Sequence, residues 1–524
     1  MSQADNVTRR AVLKAGVAGA AVVAGAAVAL SGTARPTVAQ DRPTVRIWSP
    51  GDNGAVADWS QDPILQAVQD ATGTQIEITK IGFDIYGDQV NAAVASGEVP
   101  DIIGTVDTGN RSIIAQYVRD GVVTPYDDEA LAPLVPNVLA QYAANPTLAE
   151  LKIDDRIYMK PVSWADGNGP GFGIIHVRKD ILDGLGMAPP DTFNQYFEFL
   201  RAARSAGSTG VIFGAGGEGG LGGAIEAFTG AYGVPAGGWV PSAEGYSFWA
   251  VQPGVRDGLL LFRRMVSEDL VDPVSWELTE TPRDRYVASE PYSMIWNGGG
   301  HVGRIQNDMD LAGAGALEWT VPALDNGMGS RGYLSVPSFF GGTFLGSLGD
   351  NNPEAAARVV NYLSSPEGYK LTALGIAGRD YTETNGEITL IPEQRSLDGF
   401  ATEAGDTGAH PLGSAIVSWV PQEWQDFSLL YGKPPEFKQW YDQMWVHQRQ
   451  YLLETRGTLT TSPLWTAYSA TSDELITRSF LEIVRMGSEA DAGARFDQFV
   501  SDWQGGGGSD AQAEMNEVLT ALYG

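Results

Sequence analysis

The chain has 524 residues, no cysteine, 34 Lys+Arg against 64 Asp+Glu, and 43% hydrophobic residues. That is enough for two or three domains of roughly 100–200 residues, and too apolar for a wholly disordered chain. The missing cysteines exclude a disulfide framework, iron–sulfur clusters, thiolate zinc sites, a cysteine nucleophile and a lipidated cysteine. A formal charge of -30 argues against binding nucleic-acid phosphates or anionic lipid. No run after residue 40 approaches the roughly 20 apolar residues of a membrane span.

Residues 1–40 read as an address. Thr8-Arg9-Arg10-Ala11-Val12-Leu13-Lys14 precedes a bland run from Ala15 to Leu30, and Thr37-Val38-Ala39 follows as a small-residue cleavage pattern. The run is too short to span comfortably, and paired arginines before such a run resemble a twin-arginine (Tat) export signal. Arg9 and Arg10 would carry that signal to the twin-arginine translocase. The mature chain is then expected outside the cytoplasm; a retained basic anchor helix is the other reading.

The mature chain alternates strands and helices. Thr44 to Trp48 reads as a strand ended by Pro50-Gly51-Asp52-Asn53-Gly54, Ile64 to Ala71 as a helix, and Gln75 to Thr79 as an alternating strand. Tyr86 to Ser96 is helical and Asp101 to Val106 is a buried strand. This β-α-β-α-β order predicts α/β architecture with a parallel sheet. Ligands in such sheets sit at the carboxyl ends of the strands. Asp52 and Asn53, and Asp107, Thr108 and Asn110, occupy those positions; their other reading is as turn formers.

Further along, strands are expected at Ile174–Val177, Val211–Phe213 and Tyr292–Trp296, and helices at Asp180–Leu185, Thr192–Ala206, Arg256–Glu268 and Glu354–Ser364. The end is helical, from Ala470 to Val500 and from Asp510 to Leu522. Gly505-Gly506-Gly507-Gly508-Ser509 between them is either a flexible linker or a tight inter-helix loop.

Several segments resemble family 1 extracellular solute-binding proteins, the ligand-capturing subunits of ABC importers. Ala95-Ser96-Gly97-Glu98-Val99-Pro100-Asp101-Ile102-Ile103 is similar to that family's signature of a helix end, SGxxPD and a buried strand. Arg178 to Gly186, followed by Pro190-Asp191-Thr192-Phe193, resembles the opening of its second lobe. Asn361 to Gly368 resembles its late helix and turn. Gly375-Ile376-Ala377-Gly378-Arg379-Asp380-Tyr381 and the stretch from Phe496 to Tyr523 are similar to the large oligosaccharide-binding subgroup. The chain departs from the family in lacking a lipobox cysteine and an Asp-rich calcium loop.

The resemblance implies a two-lobe periplasmic-binding-protein fold, type II-like, with a hinge the chain crosses more than once. Lobe 1 is expected over 43–160 plus 338–400, and lobe 2 over 161–337 plus 401–524. The implied partners are a carbohydrate ligand and ABC permease subunits, with a monomeric protein in a periplasmic or extracellular, envelope-associated setting. No cofactor, metal or catalytic residue is expected.

Sugar sites need flat apolar faces and planar polar groups. Trp164 and Asp166 follow a segment that resembles the inter-lobe crossing, Tyr158 to Ser163. Trp296, Asn297 and His301 flank the glycine loop Gly298-Gly299-Gly300. Trp239, Arg331 and Tyr333 are further candidates from glycine-rich loops.

Other chemistries leave fainter traces. Gly217-Glu218-Gly219-Gly220-Leu221-Gly222 fits G-x-G-x-x-G, with Glu244 downstream, and would suit a nicotinamide-dependent oxidoreductase. Asp107-Thr108-Gly109 and Asp406-Thr407-Gly408 mimic the two aspartates of an aspartic protease. A glycoside hydrolase needs a carboxylate pair that no local motif singles out. The four histidines are scattered, which disfavours a metal site.

Overall fold

The computed structural model describes residues 42–523, apart from 52–55, 108–110, 145, 171–173, 215–220, 279–281, 289–290, 297–304, 307–308, 310–317, 322, 401–409, 416–430, 432–434, 454 and 458–459. Arg9 and Arg10 therefore lie outside the described residues.

The first strands are β1 (Thr44–Pro50), β2 (Gln75–Ile81), β3 (Ile102–Asp107) and the short β4 (Val123–Thr124). Then come β5 (Met159–Pro170), β6 (Ile174–Arg178) and β7 (Val211–Ile212), followed by β8 (Trp239–Ser242) and β9 (Gly245–Phe248), which form a hairpin. The last needed here are β10 (Ser293–Trp296), β11 (Glu318–Val321) and β12 (Tyr333–Gly346). β1 runs parallel to β2 and β3 as expected. The sheet is nevertheless mixed, because β12 returns from far along the chain and lies antiparallel against β3. A second sheet has the order β11-β6-β10-β7, in which only β10 and β7 are parallel.

The helices of the first sheet follow their apolar spacing. Pro63–Thr72 is capped by Asp62, whose carboxylate accepts from Leu65 N–H at 2.7 Å, and it buries Ile64, Leu65 and Val68. Phe83–Ser96 ends at Gly97, whose φ of 76° is left-handed backbone that glycine adopts without strain. Two adjoining cores fill this lobe. One joins Val45, Ile47, Ile102, Leu345 and the helix Pro353–Leu363; the other joins Tyr86, Ile103, Met159 and Phe344. Residues 410–415, expected in the second lobe, belong here. Leu412 is buried in the first core, and His410 Nε2 lies 2.7 Å from Asp62 Oδ2 with both side chains buried. Leu412 N–H donates to His410 Nδ1, so the Nε2 proton is the one given to Asp62.

The second sheet has its own large core. Phe193, Phe197 and Leu200 from helix Phe193–Ser205 meet Leu259 and Phe262 from Pro253–Ser267. The C-terminal helices Pro463–Arg485, Glu489–Trp503 and Ser509–Tyr523 close over them. The glycine run 505–508 is a tight junction and not a linker. It is a kink between the last two helices, where Gly507 has non-helical backbone at φ 124°, and Tyr468 and the Trp503 ring occupy the space that β-carbons at 506–508 would need.

Asp101, from the SGxxPD segment, is the node of the first lobe. Buried at the start of β3, it accepts from Arg46 N–H (2.8 Å) through Oδ2 and from Asn352 N–H (2.7 Å) through Oδ1. Asn352 in turn caps helix Pro353–Leu363. Removing the carboxyl leaves buried donors unsatisfied, so Asp101→Ala should cost about 2–4 kcal/mol. Asp101→Asn keeps one acceptor and should cost less. Denaturant unfolding measures both, and an unchanged midpoint for Asp101→Ala would refute the assignment.

Candidate ligand-binding site

Two long strands carry the chain between the cores. β5 leaves Met159 in the first lobe and leads into β6 of the second, while β12 brings the chain back to Phe344. They lie side by side, antiparallel, for most of their length. The register is broken once in a way that matters. Ser163 stands opposite Phe339, but the next pair is Asn168 with Pro337. Four residues of β5, Trp164 to Gly167, therefore oppose Ser338 alone. An insertion of this kind bends and twists a strand and commonly sits beside functional sites. It puts the backbone of both Trp164 and Asp166 at the middle of the crossing.

The second lobe presents a matching edge. β7 and β10 run parallel, so the chain leaving each does so at the same end of the sheet. Trp296 closes β10 there, half-buried against Ile212, Tyr286 and Met294, and its register partner is Ile174, the first residue after the crossing to be described. The carboxyl ends of parallel strands are where open α/β sheets take ligands.

Further contacts tie the lobes. Glu150 sits between Leu148 and Leu151 of a first-lobe core, and it accepts from the Tyr523 hydroxyl at the end of the last helix and from Gly457 N–H at 3.2 Å. Burial, and then the Glu150 charge, push the Tyr523 phenol well above its ordinary range.

The remaining candidates divide. Asp52, Asn53, Asn110, Asn297 and His301 lie outside the described residues, as do 217–220 of the glycine motif and Asp406-Thr407-Gly408. Asp107 ends β3, opposite Gly341 of β12, and Tyr333 opens β12, opposite Leu452. Trp239 is not a loop residue. It begins the β8–β9 hairpin, is 1% exposed, and packs on Phe248 and Trp465 with ring centroids 5.3 and 5.2 Å away, so its flat face is already covered. Arg331 is also committed within the lobe. It donates to Asp191 at 2.7 and 3.2 Å and to the Ala323 carbonyl at 3.3 Å, and it lies over the Tyr451 ring. Among the described residues no group of three or more His, Asp or Glu could hold a metal ion, and no helix is long and apolar enough to cross a membrane.

A mixed α/β chain with two large sheets, separate cores and paired crossing strands has the two-domain fold of periplasmic solute-binding proteins. Residues 53–370 match the model of the bacterial extracellular solute-binding protein family, and the chain belongs to that family. Among solved structures, alginate-binding protein AlgQ2 without calcium ion superposes with a TM-score of 0.69 at 16% identity, covering 93% of this chain and 99% of that one. FusA of S. pneumoniae, in complex with kestose, gives 0.67 at 16% identity, covering 91% and 99%. A curated relative from Bacillus subtilis (strain 168), the polygalacturonan/rhamnogalacturonan-binding protein YtcQ, is 26% identical over 147 residues, 27% of either chain. Lipoprotein LipO of the same organism is 21% identical over 361 residues, 63% of this chain and 66% of that one.

One residue of the crossing was missed in the sequence. Lys160 lies on β5 opposite Thr343 and is 0% exposed, and burial pulls its ammonium down to about 7. In the unfolded chain it titrates near 10.4. Between those values the unfolded state binds more protons, so the wild type should gain stability as pH rises from 7 toward 10. Lys160→Met should flatten that contribution, with its advantage over wild type largest below pH 7, on the order of 1–3 kcal/mol. Thermal unfolding of both proteins from pH 6 to 10 tests this, and parallel profiles would contradict it.

Proposed function

We propose that this protein captures an oligosaccharide outside the cytoplasm and passes it, chemically unchanged, to an ABC permease. The observation that carries this reading is the crossing itself. What supports the reading is that the break in register between β5 and β12 falls on the backbone of Trp164 and Asp166, and that Trp296 closes β10 of the second sheet. Tryptophan faces suit the C–H side of a pyranose, and carboxylates suit its hydroxyls. Asp52, Asn53, Asp107, Asn110, Asn297, His301 and Tyr333 complete the proposed lining. Proteins of the same fold are described as binding alginate and kestose, which supports a carbohydrate class without naming the sugar.

The physical mechanism is linkage. Ligand held by one lobe adds contacts to the other only when the lobes close, so binding shifts the population toward the closed form. The permease then reads a surface that exists only with cargo aboard. The lobe division proposed is 43–160 plus 338–400, extended by 410–415, for the first lobe, with 161–337 and the C-terminal helices in the second. We also propose Tat export through Arg9 and Arg10, and a monomeric protein.

Purified protein offered a panel of oligosaccharides should show a thermal upshift with at least one, and no new reducing ends or oxidised product. Trp164→Ala and Trp296→Ala should each weaken binding of that glycan by about tenfold or more, roughly 1.4 kcal/mol, in calorimetry. Turnover of the glycan would replace the binding reading with an enzymatic one, and unchanged affinity in both variants would remove these rings from the cleft.

A further inference from the structure

Helix Gly222–Gly230 starts beyond β7, at the end of the second sheet where Trp296 closes β10. Ala224, Ile225, Ala227 and Phe228 turn one side of it into the lobe core. Glu226 falls on the opposite side at 3.6 residues per turn, together with Gly222, Gly223 and Gly230. The C-terminal end of the helix meets the approach to β12. Gly230, one turn beyond Glu226, brings its carbonyl so close to Gly332 that a β-carbon there would stand 2.7 Å away, and Gly332 leads directly into β12.

Glu226 is 9% exposed, and its Oε2 is buried with no hydrogen-bond partner. The same turn holds a second buried orphan, Thr229 Oγ1. Buried polar atoms are normally satisfied, and an unsatisfied one costs stability that folding alone does not return. A carboxyl group kept here, on a glycine-lined helix face at the junction of the lobes, is explained by a partner that arrives later.

We propose that Glu226 is a ligand-contacting residue of the inter-lobe cleft, whose carboxyl group completes its hydrogen bonding with a hydroxyl of an uncharged oligosaccharide. This rests on the carbohydrate-capture reading and narrows it to a ligand class. Burial holds the Glu226 carboxyl well above the ordinary carboxylate range, which favours its protonated form, a group that can both donate and accept. A hydroxyl matches that pair of roles. A uronate would have to be desolvated beside a second acid, in a protein of formal charge -30.

Calorimetry at pH 7 with fructo-, malto- and xylo-oligosaccharides and with oligogalacturonates, on wild type, Glu226→Gln and Glu226→Ala, tests the proposal. Wild type should bind a neutral glycan at least tenfold more tightly than any oligogalacturonate. Glu226→Gln should stay within about threefold of wild type, and Glu226→Ala should lose tenfold or more. Without ligand, both variants should unfold at the same or a higher temperature than wild type, because a buried orphan acid has been removed. A merely structural Glu226 would lower that temperature along with affinity, which would overturn the proposal. Full binding by Glu226→Ala, or preference for the uronates, would overturn it too while leaving carbohydrate capture standing. Binding of no glycan by wild type would instead sink the carbohydrate reading and this proposal together.

Discussion

The antiparallel pairing of β5 with β12 is the constraint on which the rest of the molecule depends. Each strand runs from a core of the first lobe toward the second sheet. At one end Met159 and Phe344 are buried in the first lobe; at the other the chain runs into Ile174 and pairs Tyr333 and Leu334 with Leu452 and Leu453. Backbone hydrogen bonds between the two strands resist shear, whereas a ribbon of so few strands bends far more easily than a packed core deforms. In the proposed closure, this joint keeps its register while the lobes change angle. The break opposite Ser338 lies in the middle of that ribbon.

Polar groups around this joint fall into two kinds. Asp101, Arg331 and the His410–Asp62 pair are matched within the fold, with short hydrogen bonds to backbone or to a partner side chain. Their worth is structural, because truncating one partner strands the other. Glu226 Oε2 is different, since the folded chain gives it nothing to bond.

Much of the fold was legible because its signals are local. Helix Pro63–Thr72 carries its cap, its N1 proline and its apolar spacing in consecutive residues, and Gly97 announces the end of the next helix. The crossing strands were not legible in full. Pro161, Gly167, Gly169 and Pro170 in β5, and Pro337, Gly341 and Gly342 in β12, all read as loop, and their strand character comes from a partner more than 150 residues away. The parallel sheet expected from the first βαβ units became mixed for the same reason. Glycines around Trp239 and Arg331 suggested loops open to ligand, yet Gly237 and Gly238 serve a hairpin, and the partner of Arg331 is Asp191, which spacing along the chain cannot reveal. Glu226 hid in a helix whose neighbours are apolar, where periodicity marks it only as off the core face.

In the proposed function, cargo draws the two lobes together about a paired-strand joint. Small-angle scattering on the protein, with and without a saturating oligosaccharide identified by calorimetry, tests it most directly. The radius of gyration should fall and the maximum dimension shorten when the glycan is bound. Superimposable curves at full occupancy would contradict it.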